Sequence, residues 1–162
     1  CTALAENMLM LCNGWDEERA RAEVAEAVAS GKAFETMKKW IAAQGGNAAA
    51  LEDFSLLPQA SVHYELKAPR SGYLAHMDAQ KIGEASAILG AGRQKKEDSI
   101  DYAAGIVLRK KTGDRVEAGE TLAELWTNQE KSVADSEAEF LSALVWGEEA
   151  PQHQPLVLGV IR

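Results

Sequence analysis

The sequence predicts an α+β fold made of two parts, a helical segment over 1–57 and a mixed segment over 58–162. Apolar residues repeat at helical spacing through the first third of the chain. After Leu57-Pro58 they alternate with polar residues, which is typical of strands. These strands come in short pairs with helices between them, which favours α+β over a regular βαβ repeat. The 46% of apolar residues is enough to build a core.

Three amphipathic helices are predicted in the first part. The first, over 3–12, repeats its apolar side chains at helical spacing from the start of the sequence. The second begins after Asp16, a residue type that caps helices, and ends at Gly31, which suits the position just past a C-terminus. The third covers 32–44 and is stopped by Gly45-Gly46.

The second part is predicted to contain strands and two further helices. Asp78 is suited to cap the first of these helices, and apolar residues at Val133, Phe140, Leu141 and Leu144 predict the second. The predicted strands cover 62–66, 73–77, 106–110, 121–126 and, as a closing strand, 156–161.

A loop of unusual composition, Gly90–Asp101, lies between these elements and contains two glycines, three cations and three carboxylates. It is predicted to be either a folded lid with paired charges or an anion-binding loop. The phosphate-binding fingerprints do not fit, because Gly92 is followed by Arg93 and Gln94 rather than by Lys and Ser or Thr. Paired catalytic carboxylates are the alternative use of its acids, but neighbouring cations favour a structural charge cluster. The candidate lid residues are Gly90, Gly92, Arg93, Lys95, Lys96, Glu97 and Asp98.

Composition excludes several classes of protein. The net charge of −8, with 17 basic against 25 acidic residues, argues against a nucleic-acid partner. No apolar run approaches the length of a membrane span. Cys1 and Cys12 are too few for a disulfide framework and are expected to be free thiols in a cytoplasmic protein. The histidines, His63, His76 and His153, stand apart from obvious partners, so no metal site and no complete active site are expected.

Two glycine-cornered segments, 68–77 and 111–125, resemble each other. The second resembles the barrel-sandwich of biotinyl and lipoyl carrier domains, in which a Gly-Asp turn and a Gly-Glu turn bracket a short strand. Glycines such as Gly113 and Gly119 permit the tight corners of that fold. A carrier would also need a lysine at an exposed hairpin tip, typically beside Met or Asp. Neither segment contains a Met-Lys or an Asp-Lys pair. A stand-alone interaction or carrier-like module therefore remains an alternative function, as does a small anion-binding enzyme that uses Gly90–Arg93.

An ordered series of short motifs carries a more specific resemblance. The motifs are Gly31-Lys32-Ala33, Ala43-Gln44-Gly45-Gly46-Asn47, Leu57-Pro58-Gln59-Ala60, Leu89-Gly90-Ala91-Gly92-Arg93, Lys96-Glu97-Asp98-Ser99-Ile100-Asp101 and the Gly113-Asp114 and Gly119-Glu120 corners. In this order they resemble the C-terminal part of the pyrimidine-nucleoside phosphorylases, which include the thymidine phosphorylases. The resemblance covers almost the whole chain.

The resemblance implies a glycosyltransferase that cleaves thymidine or uridine with phosphate, giving the base and a pentose 1-phosphate. It implies N-terminal helices from the large α/β domain, followed by an α/β-hammerhead, barrel-sandwich-like domain. Phosphate is a co-substrate and no cofactor is implied. The implied partners are the N-terminal part of the same enzyme and a second subunit of a homodimer. The family's phosphate- and base-binding motifs are not found in this sequence, so no catalytic or substrate-binding residue is assigned and the chain alone is expected to be inactive.

Overall fold

The computed structural model describes residues 1–93, 95–152 and 155–161. Cys1–Leu57 and Pro58–Arg162 form two separate structural units. Secondary structure in the first is helical, whereas the second contains both helices and strands. The predicted α+β class is therefore confirmed.

The first unit contains the three predicted helices. They are α1 (Thr2–Asn13), α2 (Glu17–Ala29) and α3 (Lys32–Ala43), followed by short 3₁₀ turns at Ala48–Leu51 and Phe54–Leu56. Asp16 caps α2 as predicted, because its carboxylate accepts a hydrogen bond of 2.8 Å from the main-chain N–H of Arg19. Gly31 follows α2 with a φ of 78°, a left-handed conformation that glycine adopts without strain.

The described residues of the second unit form six strands and two helices. Its elements in chain order are β1 (Val62–Lys67), β2 (Gly72–Met77), α4 (Ala79–Ser86), a π-helical turn (Ala87–Ala91), β3 (Gly105–Leu108), β4 (Arg115–Val116), β5 (Thr121–Thr127), a 3₁₀ turn (Glu130–Ser132), α5 (Val133–Ser142) and β6 (Leu144–Gly147). The strands form two antiparallel three-stranded sheets, in the orders β1-β5-β3 and β4-β2-β6. The central strands β5 and β2 each have a neighbour on both sides.

Side chains from both sheets and both helices fill one hydrophobic core. Leu66, Leu74, Leu125 and Phe140 are fully buried in it, together with Leu89 of the π-helical turn. Burial of large apolar side chains supplies most of the stability of such a unit. The core therefore fixes the end of α4, where the charged loop begins.

Two sequence predictions for the second unit are wrong. Leu144 was expected to extend the stripe of α5, but α5 ends at Ser142 and Leu144 begins β6, which pairs with Met77 of β2. The expected closing strand over 156–161 is not formed, and these residues belong to no helix or strand. The two-residue strand β4 lies where a short strand was expected, between the Gly113-Asp114 and Gly119-Glu120 turns.

Candidate functional site

The charged loop starts from an irregular end of α4. Asp78 caps this helix through hydrogen bonds from the main-chain N–H groups of Gln80 and Lys81. Its last residues widen into the π-helical turn, which ends around Gly90 with a φ of 104°. The hydroxyl of Thr127 donates a buried hydrogen bond of 2.7 Å to the Leu89 carbonyl, which lies in this irregular turn. The start of the loop is thereby anchored to the end of β5.

Hydrogen bonds join the two ends of the loop. The main-chain N–H of Asp101 donates to the Gly90 carbonyl at 2.9 Å. The Asp101 carboxylate accepts from the Ala103 N–H at 3.0 Å and from the side-chain amide of Asn128 at 2.9 Å. The same Asn128 amide accepts from the Ser61 N–H at 2.8 Å, just before β1. The loop is therefore closed at its base, in the manner of an Ω-loop.

The charged residues of the loop are exposed, and some of them order the main chain. Asp98 accepts a hydrogen bond of 2.8 Å from the Lys95 N–H, and its own N–H donates to the Lys95 carbonyl at 3.1 Å. Lys96 and Glu97 lie exposed in the turn between them. Asp98 and Asp101 both accept hydrogen bonds from main-chain amides. This favours a role in ordering the loop over an acid–base role for these carboxylates.

A cavity of about 260 Å³ lies beside the base of the loop, lined by Ala87, Ile88, Gly90, Gly92, Asp98, Ser99 and Gln129. A second cavity of about 350 Å³ is lined by Arg93 together with Glu84, Ala87, Ile88 and Glu139. Of the candidate residues, three thus line the first cavity and Arg93 lines the second. Lys95, Lys96 and Glu97 are not among the lining residues of either.

Sequence reasoning missed the three consecutive residues that support the loop, namely Thr127, Asn128 and Gln129. Thr127 and Asn128 hydrogen-bond the two ends of the loop, and Gln129 lines the first cavity. Their position at the end of a strand, where polar residues commonly reach neighbouring loops, was the available signal. A sequence alone does not indicate which distant loop such residues contact.

The remaining polar clusters lie outside the loop. His63 was expected to stand apart, but it hydrogen-bonds Glu124 at 3.2 Å and stacks on Trp126 with ring centroids 4.0 Å apart. Arg109, which also pairs with Glu124, is the main cause that lowers the pKa of the Glu124 carboxyl below its ordinary value. His76 lies in β2, and His153 is outside the described residues.

The described residues contain neither a cluster of metal-binding side chains nor a membrane-spanning helix. None of their histidines, cysteines and acids gather into a group of three or more able to hold a metal. Within the same residues, no helix is long and apolar enough to cross a membrane. Cys1 and Cys12 are both free and exposed.

Comparison with known proteins identifies the second unit. Residues 73–145 match the family described as pyrimidine nucleoside phosphorylase C-terminal domain. This stretch runs from β2 to β6 and includes the whole charged loop. The unit is therefore of the class of C-terminal domains found in nucleoside phosphorylases.

Curated relatives agree with this match. The chain is 42% identical over 132 residues to pyrimidine-nucleoside phosphorylase of Geobacillus stearothermophilus, an alignment covering 81% of this chain. It is 43% and 45% identical, over 78% of its length, to the pyrimidine-nucleoside phosphorylases of Bacillus subtilis (strain 168) and Staphylococcus aureus (strain USA300). Each alignment covers 30% of the relative. The chain carries the C-terminal domain of the pyrimidine-nucleoside phosphorylase family, which confirms the resemblance.

Proposed function

We propose that this chain serves as the C-terminal part of an enzyme that cleaves pyrimidine nucleosides, such as thymidine or uridine, with phosphate. The products are the free base and a pentose 1-phosphate, and phosphate is a co-substrate rather than a cofactor. The match of residues 73–145 to the family's C-terminal domain carries this proposal. The 42% to 45% identity to phosphorylases over most of the chain supports it.

The fold is consistent with the finer architecture of such an enzyme. In this proposal the unit 1–57 is a helical segment of the large α/β domain, and the unit 58–162 is an α/β-hammerhead domain of barrel-sandwich type. Two three-stranded antiparallel sheets and tight corners at Gly113 and Gly119, with φ of 100° and 84°, support the sandwich. A cytoplasmic location accompanies the proposed role in nucleoside metabolism.

The chain alone is proposed to be inactive. Phosphorolysis requires phosphate to be held in line with the departing base while the developing charge is stabilised. The described residues of the loop supply glycines and exposed charges, and two of its acids, Asp98 and Asp101, accept hydrogen bonds from main-chain amides. We expect no phosphate-dependent release of base from uridine or thymidine by the 162-residue chain. A complete family enzyme assayed in parallel is the positive control, and turnover by the chain above the enzyme-free blank would overturn this proposal.

The Gly90–Asp101 loop is proposed to help close the cleft of the complete enzyme. A loop that is fixed at its base and exposed between its ends is suited to move over a site and exclude water. Arg93 is exposed and lines the cavity that also contains Glu84 and Glu139. In the complete enzyme, Arg93→Ala should lower kcat/KM several-fold without changing the unfolding midpoint. Arg115→Ala, which removes an exposed arginine from β4, is the matched control, and equal kinetics for both variants would contradict the lid role.

The proposed partners are the remaining part of the enzyme and, through it, a second subunit. Co-expression with a separately encoded N-terminal part should give a complex of two copies of each chain by light scattering. Recovery of the C-terminal chain alone, with a folded N-terminal part in the same lysate, would count against this partnership.

A carrier-like interaction module remains the second candidate, because the glycine corners also suit a barrel-sandwich carrier domain. The Met37-Lys38 pair of this chain lies inside α3 and not at a hairpin tip, which disfavours that candidate. Intact mass after growth with biotin and lipoate separates the two, since only a carrier gains the mass of an attached group.

A further inference from the structure

We propose that Asp101 and Asn128 are positioning residues that hold the base of the Gly90–Asp101 loop and tie it to the start of β1. The importance of this arrangement for turnover rests on the lid role described under the proposed function. The arrangement itself rests on hydrogen bonds of this chain and is testable without any enzymatic assay.

Asn128 is the centre of the arrangement. Its side-chain oxygen accepts a hydrogen bond of 2.8 Å from the Ser61 N–H, and its side-chain NH₂ donates one of 2.9 Å to the Asp101 carboxylate. A main-chain N–H requires an acceptor and a carboxylate requires a donor, so the two partners fix one orientation of the amide. A single side chain thus joins two segments that are 40 positions apart in the sequence, between residues 61 and 101.

Asp101 completes the base of the loop through both its main chain and its side chain. Its N–H donates to the Gly90 carbonyl at 2.9 Å, and its second carboxylate oxygen accepts from the Ala103 N–H at 3.0 Å. Gly90 permits the close approach, since a Cβ on it would lie 3.4 Å from the Asp101 Cβ and 3.1 Å from the Gln129 side-chain nitrogen. The two ends of the loop, Gly90 and Asp101, are therefore held together directly.

This geometry gives the loop a base held by hydrogen bonds and an exposed tip. The tip carries Lys95 and Lys96, which are exposed. Ser61 lies near the beginning of the second unit, which starts at Pro58. The Asn128 amide therefore joins the start of the second unit to the base of the loop.

Reversing the donor and acceptor tests the contact directly. Asn128→Asp keeps the oxygen that accepts from Ser61 but faces the Asp101 carboxylate with another carboxylate. Asp101→Asn keeps the oxygen that accepts from Ala103 but faces the Asn128 NH₂ with another NH₂. The double variant N128D/D101N restores one donor and one acceptor in the reverse direction, with the net charge unchanged. Double variants of this kind isolate a pairwise interaction.

The measurement is the rate of trypsin cleavage after Lys95 and Lys96 in the folded chain. Each single variant should be cleaved about tenfold faster than the original chain, because a hydrogen bond to a charged group no longer restrains local opening. The double variant should return to within about twofold of the original rate. Ser71→Ala, which removes a hydroxyl that accepts from the Ala118 N–H elsewhere in this unit, is the control and should leave loop cleavage unchanged.

The possible outcomes distinguish the positioning role of Asp101 and Asn128 from the lid role of the loop. Single variants cleaved no faster than Ser71→Ala, or a double variant cleaved as fast as the singles, would overturn the positioning role. In the complete enzyme, the singles should lower kcat/KM and the double variant should restore it. If cleavage follows the expected pattern while kcat/KM stays unchanged throughout, the positioning role stands and the lid role of the loop is refuted.

Discussion

Replacement of Thr127 by valine tests how strongly the base of the charged loop depends on one buried hydroxyl. The Thr127 side chain is fully buried. Its hydroxyl donates to the Leu89 carbonyl at 2.7 Å and accepts from the Gln129 N–H at 2.9 Å. Valine has nearly the same shape but offers neither a donor nor an acceptor. Thr127→Val therefore leaves one buried carbonyl and one partly buried N–H without this partner.

The expected loss follows from those two groups. A buried group left without its hydrogen bond costs about 1 to 3 kcal/mol, and a typical hydrogen bond contributes about 1 kcal/mol. We expect Thr127→Val to lower the free energy of unfolding by about 2 to 3 kcal/mol. With a urea m-value of about 1.5 kcal/mol/M, the midpoint falls by roughly 1.3 to 2 M.

Urea titration followed by far-UV circular dichroism is the assay, with Thr127→Ser as the matched control. Serine keeps the hydroxyl and loses only a methyl group, so its loss should be about 1 kcal/mol. If the valine variant unfolds within about 0.3 M of the serine variant, the hydroxyl does not stabilise the turn and the reasoning is refuted.

Three further changes test other parts of the second unit by the same titration. Phe140→Ala should destabilise it by about 3 to 5 kcal/mol, because the ring is fully buried in the core, and a loss below about 1 kcal/mol would show that the core re-forms around the gap. Gly90→Ala should lower the free energy of unfolding by about 1 to 3 kcal/mol, since its φ of 104° is strained for alanine, and an unchanged midpoint would contradict that conformation. Arg109 lowers the pKa of Glu124, whose ordinary value is 4.5, so this pair stabilises the fold above that pH and the contribution is lost as the pH falls through the lowered pKa. Glu124→Gln should therefore weaken the fall in stability between pH 5 and pH 3, and an identical pH profile would exclude a contribution from the pair.

The secondary structure was predicted from the sequence wherever local chemistry decides it. Asp16 and Asp78 mark helix starts because an aspartate accepts hydrogen bonds from free N–H groups at that position. Gly31 marks a helix end for an equally local reason. The alternation that begins at Val62 is preserved in β1, where one side of the strand faces the core.

The errors occur where distant contacts override the local pattern. Leu144 continues the spacing of α5 by four residues from Phe140, but pairing with β2 turns it into the first residue of β6. The segment 156–161 has the composition of a strand and lacks a pairing strand in the described structure, so composition alone was misleading.

The candidate loop was located from its glycines and charges, but its supporting residues were not. The loop is defined by local composition. Thr127 and Asn128 contact it because the pairing of β5 in the sheet places them beside it. Those contacts depend on tertiary structure and leave no periodic pattern in the sequence. His63 shows the same limit, because its partner Glu124 lies on the neighbouring strand.

The hydrogen bond between Asp101 and Gly90 also affects how much stability a change in the length of the loop would cost. Since the ends already meet, inserted residues do not have to form any new contact with the rest of the unit. The entropy of closing a loop rises slowly with its length, so doubling the segment between these ends would cost only about 0.6 kcal/mol. An insertion between Gly90 and Asp101 is therefore expected to cost the unit little stability, even though it would interrupt the motifs of this loop that carry the family resemblance.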